Sequence, residues 1–197
     1  MSDLGTWSPL EPQAMRDVMA GYGRPWWIAG GWALDLFLGQ TTREHADIDL
    51  ELLRSDQLEV QAHLREWELY LASDGQLSPW VAGEPAPPDV TDIWCRPTGG
   101  GSWAFQLMFN PGTPERWASK RSPMVGQPTE TAIRRTADGL AYLAPELQLL
   151  MKAKAPRPKD EVDLTNLLPA LDERQLTWLR DALEVVHPGH PWIVRLD

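Results

Sequence analysis

The stretch WWIAGGWALDLFLGQTTREHADIDLELL, residues 26–53, decides the fold because three short patterns follow one another in a fixed order. The apolar run that ends at Gly30 and Gly31 is typical of a buried strand. The segment WALDLFL, which stops at Gly39, predicts a helix of about two turns. ADIDLELL then alternates polar and apolar residues strictly, which predicts a strand with one buried face.

The alternation places two carboxylates on the same side of that strand. Asp47 and Asp49 are two residues apart, so their side chains are expected to lie a few ångströms from each other. Two such carboxylates repel unless a cation lies between them, and a hard divalent cation suits oxygen ligands. The glycine pair predicts a tight turn into a helix whose first amides are unpaired and bind phosphate oxygens.

The rest of the chain predicts an α/β (α+β) architecture, a mixed sheet flanked by helices with a small helical C-terminal part. Ser8, Pro9 and Glu11 indicate a helix start, and that helix is expected to reach about Ala20. Further helices are expected at 56–67, 145–155, 159–168 and 172–186. Strands are expected in ELYLAS, in a VTDIWCRP/WAFQLMFN hairpin and in a second hairpin over TAIRRTADGLAYLA, with a long irregular, proline-rich stretch between the hairpins. We expect two units, 1–143 and 144–197.

Composition limits the class of protein. The 197 residues are 43% hydrophobic, enough for a real core, and no apolar run is long enough to span a bilayer. The first residues, MSDLGTWSPLEP, lack the pattern of a secretory signal. The only cysteine is Cys95, which excludes an internal disulfide and favours a reducing, cytoplasmic location.

The formal charge of −10 argues against nucleic acid as the main partner. It permits a cationic small molecule or a metal ion, although most acidic proteins use such charge for solubility. Within this acidic chain, three of the four lysines (Lys152, Lys154 and Lys159) fall in MKAKAPRPKDE together with Arg157. Lys152 and Lys154 do not share a helix face, so at most one is expected to point at a site. A solvated basic patch is the alternative interpretation.

The ordered combination resembles a known family. AGGWALDLFLG followed by TTREHADIDLELL is similar to the nucleotide-binding signature of the DNA polymerase β-like nucleotidyltransferase superfamily. The segment GGWALD and the run Arg43-x-His45-x-Asp47-Ile48-Asp49 resemble segments of one branch of that superfamily. This branch contains the aminoglycoside 2''-nucleotidyltransferases and the lincosamide nucleotidyltransferases. The strong likeness covers residues 26–53, and a weaker one covers YLAPELQLLMKAKAPRPKDEVDL.

The resemblance implies a transferase that passes a nucleoside monophosphate, most simply AMP from ATP, to an acceptor hydroxyl and releases pyrophosphate. It implies that Asp47 and Asp49 bind Mg²⁺ and that Gly30 and Gly31 lie against the phosphates, with Arg43 and His45 beside them. Lys152 and Lys159 are the expected phosphate ligands of the C-terminal part. An aminoglycoside or a lincosamide is the implied acceptor, antibiotic resistance the implied role, and a homodimer is common among related small transferases.

The chain departs from the family where a third carboxylate is expected. Gln106 stands at that position in register, and an amide is no base, so Glu51, Asp89 and Asp92 are the alternatives. Two other functions therefore stay open: a nucleotide-binding module without turnover, and a toxin–antitoxin-type transferase that modifies tRNA or protein.

Four further residues receive interpretations from position alone. His187 and His190 are expected to cap the last helix. Trp103 and Trp117 border the irregular middle and are weak candidates for an acceptor pocket.

Overall fold

The computed structural model describes residues 4–196. Within this range the strands are β1 (Trp26–Ala29), β2 (Asp49–Leu53), β3 (Trp67–Ser73), β4 (Gln76–Pro79), β5 (Asp92–Pro97), β6 (Phe105–Asn110), β7 (Arg116–Ser119), β8 (Ser122–Pro128), β9 (Ile133–Arg135) and β10 (Ala141–Leu143). The helices are α1 (Ala14–Val18), α2 (Gly30–Leu38), α3 (Gln57–His63), α4 (Thr129–Ala132), α5 (Pro145–Lys152), α6 (Pro158–Leu167) and α7 (Glu173–Val186). Short 3₁₀ segments lie at Arg54–Asp56, Leu168–Ala170 and Ile193–Arg195.

An eight-stranded mixed sheet organises the molecule, in the order β4-β3-β5-β6-β2-β1-β10-β9. The opening stretch supplies its centre, since β2 pairs antiparallel with β1 and parallel with β6. Ala29 lies opposite Asp49 on one side, and Gln106 lies opposite Asp49 on the other. Gln106 thus lies directly beside Asp49 in the sheet, and the predicted mixed α/β fold is confirmed.

Two hydrophobic clusters hold the elements together. The larger one fills the space around the sheet and includes the fully buried Ile28, Leu50 and Phe105. The second joins α5, α6 and α7 and includes Leu34 of α2. Because α2 contributes to the second cluster, the helix that follows the glycine pair is packed from the C-terminal side. Whether residues 1–143 and 144–197 are separate units stays a prediction.

Several predicted elements agree with the structure. The hairpin β9–β10 turns at Asp138-Gly139, and Pro145 is the first residue of α5. Asp172 caps α7, accepting from the backbone N–H of Gln175, whose side chain accepts in return. This reciprocal pair is the capping box that the sequence predicts.

Other predicted elements were wrong or incomplete. The first helix begins only at Ala14, because the backbone N–H groups of Ser8 and Leu10 donate to the carbonyls of Trp103 and Ala104 and hold this segment extended. The proline-rich middle is not irregular: β7 and β8 form a separate two-stranded sheet. Strand β2 begins at Asp49, so Asp47 precedes the strand. Across residues 4–196, no helix combines the length and apolar character needed to cross a membrane.

Candidate active site

A cleft of about 290 Å³ opens where β1 passes into α2 and β2 begins. Most of the predicted site residues line this cleft; they are Gly30, Gly31, Arg43, Asp47, Asp49, Lys152 and Lys159. His45 and Gln106 are absent from its lining. The opposite wall comes from the end of α5, the start of α6 and the turn between β7 and β8.

The carboxyl group of Asp49 is harder to ionise than that of an ordinary aspartate. Burial raises the pKa of its carboxyl to about 7, and the negative charges of Asp47 and Asp92 add to that effect. Lys152 and Lys120 oppose it with their positive charges. A carboxylate that costs this much to ionise gains strongly from a bound cation.

The two glycines have separate and specific reasons to lack a side chain. Gly30 has φ +68°, and a Cβ there would lie 2.1 Å from Oδ2 of Asp49. A Cβ at Gly31 would lie 2.4 Å from Nη2 of Arg43 and 2.5 Å from the ring of His45. The glycines therefore allow an acidic and a basic side chain to pack directly on the start of α2.

One expectation about this helix start was wrong. The first amide, that of Gly30, is not free to bind phosphate, because it donates to Oε1 of Gln148 at 2.8 Å. Gln148 is buried on α5, so this bond ties the glycine turn to the C-terminal helices. The amide of Gly31 is the first in α2 that lies at the cleft without such a side-chain partner among the described residues.

His45 is a positioning residue rather than a lining residue. Its side chain is only 2% exposed, and its Nε2 lies 2.6 Å from Oδ2 of Asp35. Nη1 of Arg43 lies 3.1 Å from Nδ1, and because a guanidinium can only donate, Nε2 carries the proton and donates to Asp35. The ring also packs against Trp32, with centroids 4.4 Å apart. His45 thus orients Arg43 from behind.

An ion-pair network continues from Arg43 into the helical part. Arg43 donates through Nε and Nη2 to both oxygens of Asp163, at 2.8 and 3.1 Å. Lys152 lies 2.8 Å from Asp160 and 3.0 Å from Asp163, and its side chain is 7% exposed. Arg157 also pairs with Asp160 at 2.9 Å. The lysine-rich segment is therefore joined to the opening motif by shared carboxylates.

The ion-pair network lowers the pKa values of its two aspartates. Burial opposes ionisation of Asp160, but hydrogen bonds from Arg157 and Lys152 hold its pKa well below its usual range. The pKa of Asp163 is lowered for the same kind of reason, by Arg43 and Lys152 acting against burial. Both residues are therefore charged at neutral pH, and they neutralise the cations that they hold.

Lys154 and Lys159 lie at the cleft in different ways. Residues two apart on one helix point to different sides, but α5 ends at Lys152, so this rule does not apply to Lys154. Both lysines line the cleft. The expectation that at most one of them points at the site was wrong. Lys159 is the second residue of α6 and lines the same wall.

The carboxylate of Glu51 accepts hydrogen bonds in the core and does not face the cleft. It is 2% exposed, and its Oε2 accepts from the indole nitrogens of Trp27 and Trp117 at 2.8 and 3.3 Å. Asn110 donates to its other oxygen at 3.3 Å. This carboxylate is a structural acceptor in the core and is not available as the third acid. Trp117 is 1% exposed and Trp103 is 3% exposed, so neither forms an acceptor pocket.

Gln106 and Asp92 lie together beside Asp49. Gln106 pairs with Asp49 on β2 and with Trp94 on β5. Asp92 is two residues before Trp94 on the same strand. The side chains of Asp49, Gln106 and Asp92 therefore lie on one face of the sheet. Nε2 of Gln106 donates to Oδ1 of Asp92 at 3.1 Å. The charge of Asp92 also acts on Asp49. Asp89, by contrast, is exposed and lies near Arg54.

Sequence reasoning did not identify several residues of the site. Asp35 lies in the quoted GGWALD run, where it accepts from Thr42 at 2.6 Å and from His45. Gln148 and Met108 reach the cleft only because α5 and β6 pack there. Arg121 comes from the unpredicted β7–β8 turn and lines the same cleft. Only Asp35 had a local signal, since it lies within the motif.

One segment of the chain is similar in sequence to known aminoglycoside-modifying transferases. The family model Aminoglycoside-2''-adenylyltransferase matches residues 13–81. The match covers 69 of the 197 residues and includes the opening stretch 26–53, so this part of the chain is similar to that family. A 2''-aminoglycoside nucleotidyltransferase of Escherichia coli is 50% identical over 38 residues, 19% of this chain, and one of Klebsiella pneumoniae matches equally. The matched segment spans 22% of each relative's own length.

Solved structures show that the likeness in fold extends much further than the likeness in sequence. The solution structure of the antibiotic-resistance factor ANT(2'')-Ia has a TM-score of 0.54 and 17% identity, covering 88% of this chain and 89% of its own. The lincomycin-bound lincosamide antibiotic adenylyltransferase LnuA has a TM-score of 0.56 and 16% identity, covering 82% and 97%. ANT(2'')-Ia in complex with adenylyl-2''-tobramycin reaches 0.50 at 16% identity, covering 94% and 93%. These likenesses confirm that the chain has the fold of the nucleotidyltransferase structures.

Proposed function

We propose that this protein is a magnesium-dependent nucleotidyltransferase that moves AMP from ATP to a hydroxyl group of a small acceptor. The observation that carries the proposal is the convergence, in one cleft, of the Asp47–Asp49 pair, the glycine-led helix and the lysine-rich segment. The first two features come from the opening stretch, and the lysine-rich segment is distant from it in sequence. A cleft with a carboxylate pair on one side and cations on the other suits a metal-bound polyphosphate.

The donor set at this position fits Mg²⁺. Asp47 and Asp49 offer carboxylate oxygens. Burial first, and then the negative charges of Asp47 and Asp92, raise the pKa of Asp49, so its carboxylate gains from a bound cation. Within residues 4–196 no group of three or more His, Cys, Asp or Glu side chains forms a metal site of its own. A pair of carboxylates is sufficient, because Mg²⁺ typically takes its remaining ligands from water and from the phosphates of the substrate. When bound, the ion would offset phosphate charge.

The chain's own residues then perform the remaining steps. Gly31 and Lys159 would contact phosphate oxygens, and Arg43 is held toward the cleft by His45 and Asp163. The acceptor oxygen attacks the α-phosphorus, the bond to the β-phosphate oxygen breaks, and pyrophosphate leaves. The products are the adenylylated acceptor and pyrophosphate, and the hydroxyl proton must pass to a base.

Asp92 is the carboxylate best placed to be that base. It shares the sheet face of Asp49, and Gln106 fixes its position through the 3.1 Å hydrogen bond. Gln106 would then be a positioning residue, not a proton acceptor. This assignment uses the alternative acid that lies nearest the carboxylate pair and leaves Glu51 in its structural role.

The acceptor class is proposed from the similar proteins and from the net charge. The related ANT(2'')-Ia binds adenylyl-2''-tobramycin, and LnuA binds lincomycin. The net charge of −10 suits a cationic aminoglycoside or an amino-bearing lincosamide. Resistance to such an antibiotic, in the cytoplasm, is the role that this chemistry would serve.

The test is pyrophosphate release from Mg·ATP, with and without a pool of aminoglycosides and lincosamides. We expect acceptor-dependent release and a product heavier by one adenylyl group. Asp47→Asn/Asp49→Asn should abolish release, whereas Asp74→Asn, at an exposed turn, should not. Release without any acceptor dependence, or release that survives the double substitution, would contradict the proposal.

A second candidate is a nucleotide-binding module without turnover, and Gln106 opposite Asp49 is the observation that favours it. Its signature would be tight Mg·ATP binding with no product from any acceptor. Asp92→Asn separates the two functions, because it should abolish turnover and leave binding in place if Asp92 is the base. Equal turnover in Asp92→Asn and the native protein would remove Asp92 from the mechanism.

A further inference from the structure

The turn between β7 and β8 brings one cation into the cleft and a second one within electrostatic range of Asp49. Ser119 pairs with Ser122, so Lys120 and Arg121 form a two-residue turn. Lys120 acts electrostatically on Asp49, and Arg121 lines the cleft beside Met151, with Nη1 3.3 Å from the sulfur. The family match ends at residue 81, so nothing in that match describes this turn.

Arg121 lacks the ionic partners that the other cleft cations have. Arg43, Lys152 and Arg157 each lie within 3.0 Å of a carboxylate. In the part of the chain that the structure describes, Lys120 and Arg121 form no salt bridge. Nε of Arg121 is buried and has no hydrogen-bond partner. Burial alone lowers the pKa of this guanidinium, with no acidic neighbour acting in the opposite direction.

A second unpartnered group lies close to Arg121. Nε2 of His187 is also buried without a hydrogen-bond partner. Burial lowers the pKa of His187, and the positive charges of Arg121, His190 and Lys154 lower it further. His187 is the C-cap residue of α7, as the sequence predicts, and its backbone N–H donates to the carbonyl of Leu183. Its ring also lies near these cations. Lys154, which reaches the cleft, completes the cluster.

We infer that Arg121 and Lys154, with His187 behind them, form a subsite for the two terminal phosphates of the nucleotide and for the leaving pyrophosphate. The inference rests on the proposed function. A partly buried guanidinium with no carboxylate partner, beside a second cation, is costly to keep without an anionic ligand. The alternative occupant, a cationic antibiotic, would be repelled by the same cluster.

The charges of the cleft are separated accordingly. The wall formed by α5, α6 and the β7–β8 turn carries the cations, whereas Asp92 lies on the β5–β6 side of Asp49. Pyrophosphate leaving on the cationic side would stand opposite an acceptor entering beside Asp92. This arrangement matches the roughly in-line displacement that transfer at the α-phosphorus requires.

The test compares binding of magnesium pyrophosphate, Mg·ATP and AMP by calorimetry. Arg121→Gln is expected to weaken pyrophosphate and ATP binding by about tenfold or more and to leave AMP binding unchanged, because a charge-assisted hydrogen bond to the terminal phosphates is lost. Arg121→Lys should restore part of the loss. Arg65→Gln is the charge-matched control, because Arg65 is an exposed residue whose side chain is 80% accessible.

Lys154→Gln provides a second variant at an exposed position, in case Arg121→Gln is unstable. It should show the same selective loss, although smaller. Unchanged pyrophosphate affinity in both variants, or an equal loss for AMP, would overturn the subsite. Pyrophosphate binding that depends on Arg121 in a protein with no turnover would support the subsite and remove the proposed function. Turnover with normal pyrophosphate affinity in both variants would support the proposed function and remove the subsite. Native protein that binds neither magnesium pyrophosphate nor Mg·ATP would overturn the subsite and the proposed function together.

Discussion

Gly30 and Gly39 form a matched pair that separates backbone strain from a steric contact at the site. Both have φ +68°, and they lie at opposite ends of α2. A Cβ at Gly39 would meet nothing within 4 Å, whereas a Cβ at Gly30 would lie 2.1 Å from Oδ2 of Asp49. Replacing each by alanine therefore adds the same left-handed strain, but only one replacement displaces a proposed metal ligand.

The magnitude follows from these two terms. Left-handed backbone at a residue with a Cβ costs roughly 1–2 kcal/mol, which is all that Gly39→Ala should lose. In Gly30→Ala the carboxylate must also move by about 1 Å to reach an ordinary contact, and overpacking of this kind costs roughly 1–3 kcal/mol more. We expect Gly30→Ala to lower the melting temperature by about 5–15 °C and Gly39→Ala by about 2–8 °C.

The assay is thermal unfolding together with calorimetry of Mg·ATP binding. Gly39→Ala should keep native affinity, and Gly30→Ala should lose most of it because Asp49 no longer holds its position. Equal losses of stability in the two variants, with Mg·ATP affinity unaffected in both, would refute the claim that Gly30 exists to accommodate the Asp49 carboxylate.

Three further predictions concern buried carboxylates. Glu51→Ala leaves two indole N–H groups unpaired and should cost roughly 2–4 kcal/mol in urea unfolding, with Glu51→Gln costing less; equal effects would contradict the structural role. The pKa of Asp49 is raised to about 7. Between about pH 4 and 7 the metal-free native state therefore binds more protons than the unfolded chain. The free energy of unfolding that this group contributes falls as the pH rises across that window. Asp49→Asn should therefore unfold at higher urea concentration than the native protein at pH 8 without Mg²⁺, and lower urea resistance would count against the raised pKa. The pKa of Asp160 is lowered, so its contribution is present above about pH 4 and is lost as pH falls further; Asp160→Asn should cost roughly 1–3 kcal/mol at pH 7, and a loss that persists undiminished at pH 2 would exclude this origin.

The short-range parts of this molecule could be predicted because their causes are local. Periodicity places strand β1, helix α2 and strand β2 in their observed order, and the capping box at Asp172 depends only on residues three apart. The same local pattern carried the resemblance to the nucleotidyltransferases. The layout of the strands was sufficient to single out Gln106, and the structure pairs it with Asp49.

Chain segments that satisfy their backbone through distant partners could not be predicted. Residues 8–10 have the signals of a helix start, yet their amides pair with the backbone of residues 103–104. The β7–β8 hairpin lies in a proline-rich stretch with no clear alternation, and its strands form a two-stranded sheet separate from the main one. The roles of Trp103 and Trp117 depended on burial, which single-residue propensities do not give.

The sequence by itself determined which chemical groups are available: a carboxylate pair after a glycine-led helix, and a few lysines gathered in an acidic chain. Only the tertiary structure decided which of those charges are already neutralised. Lys152 and Arg43 are held by Asp160 and Asp163, Glu51 is taken by two indoles, and Arg121 reaches the cleft without an acidic partner among residues 4–196. The physical reason is that charge compensation depends on distances of a few ångströms between residues up to 120 positions apart, and packing alone fixes those distances.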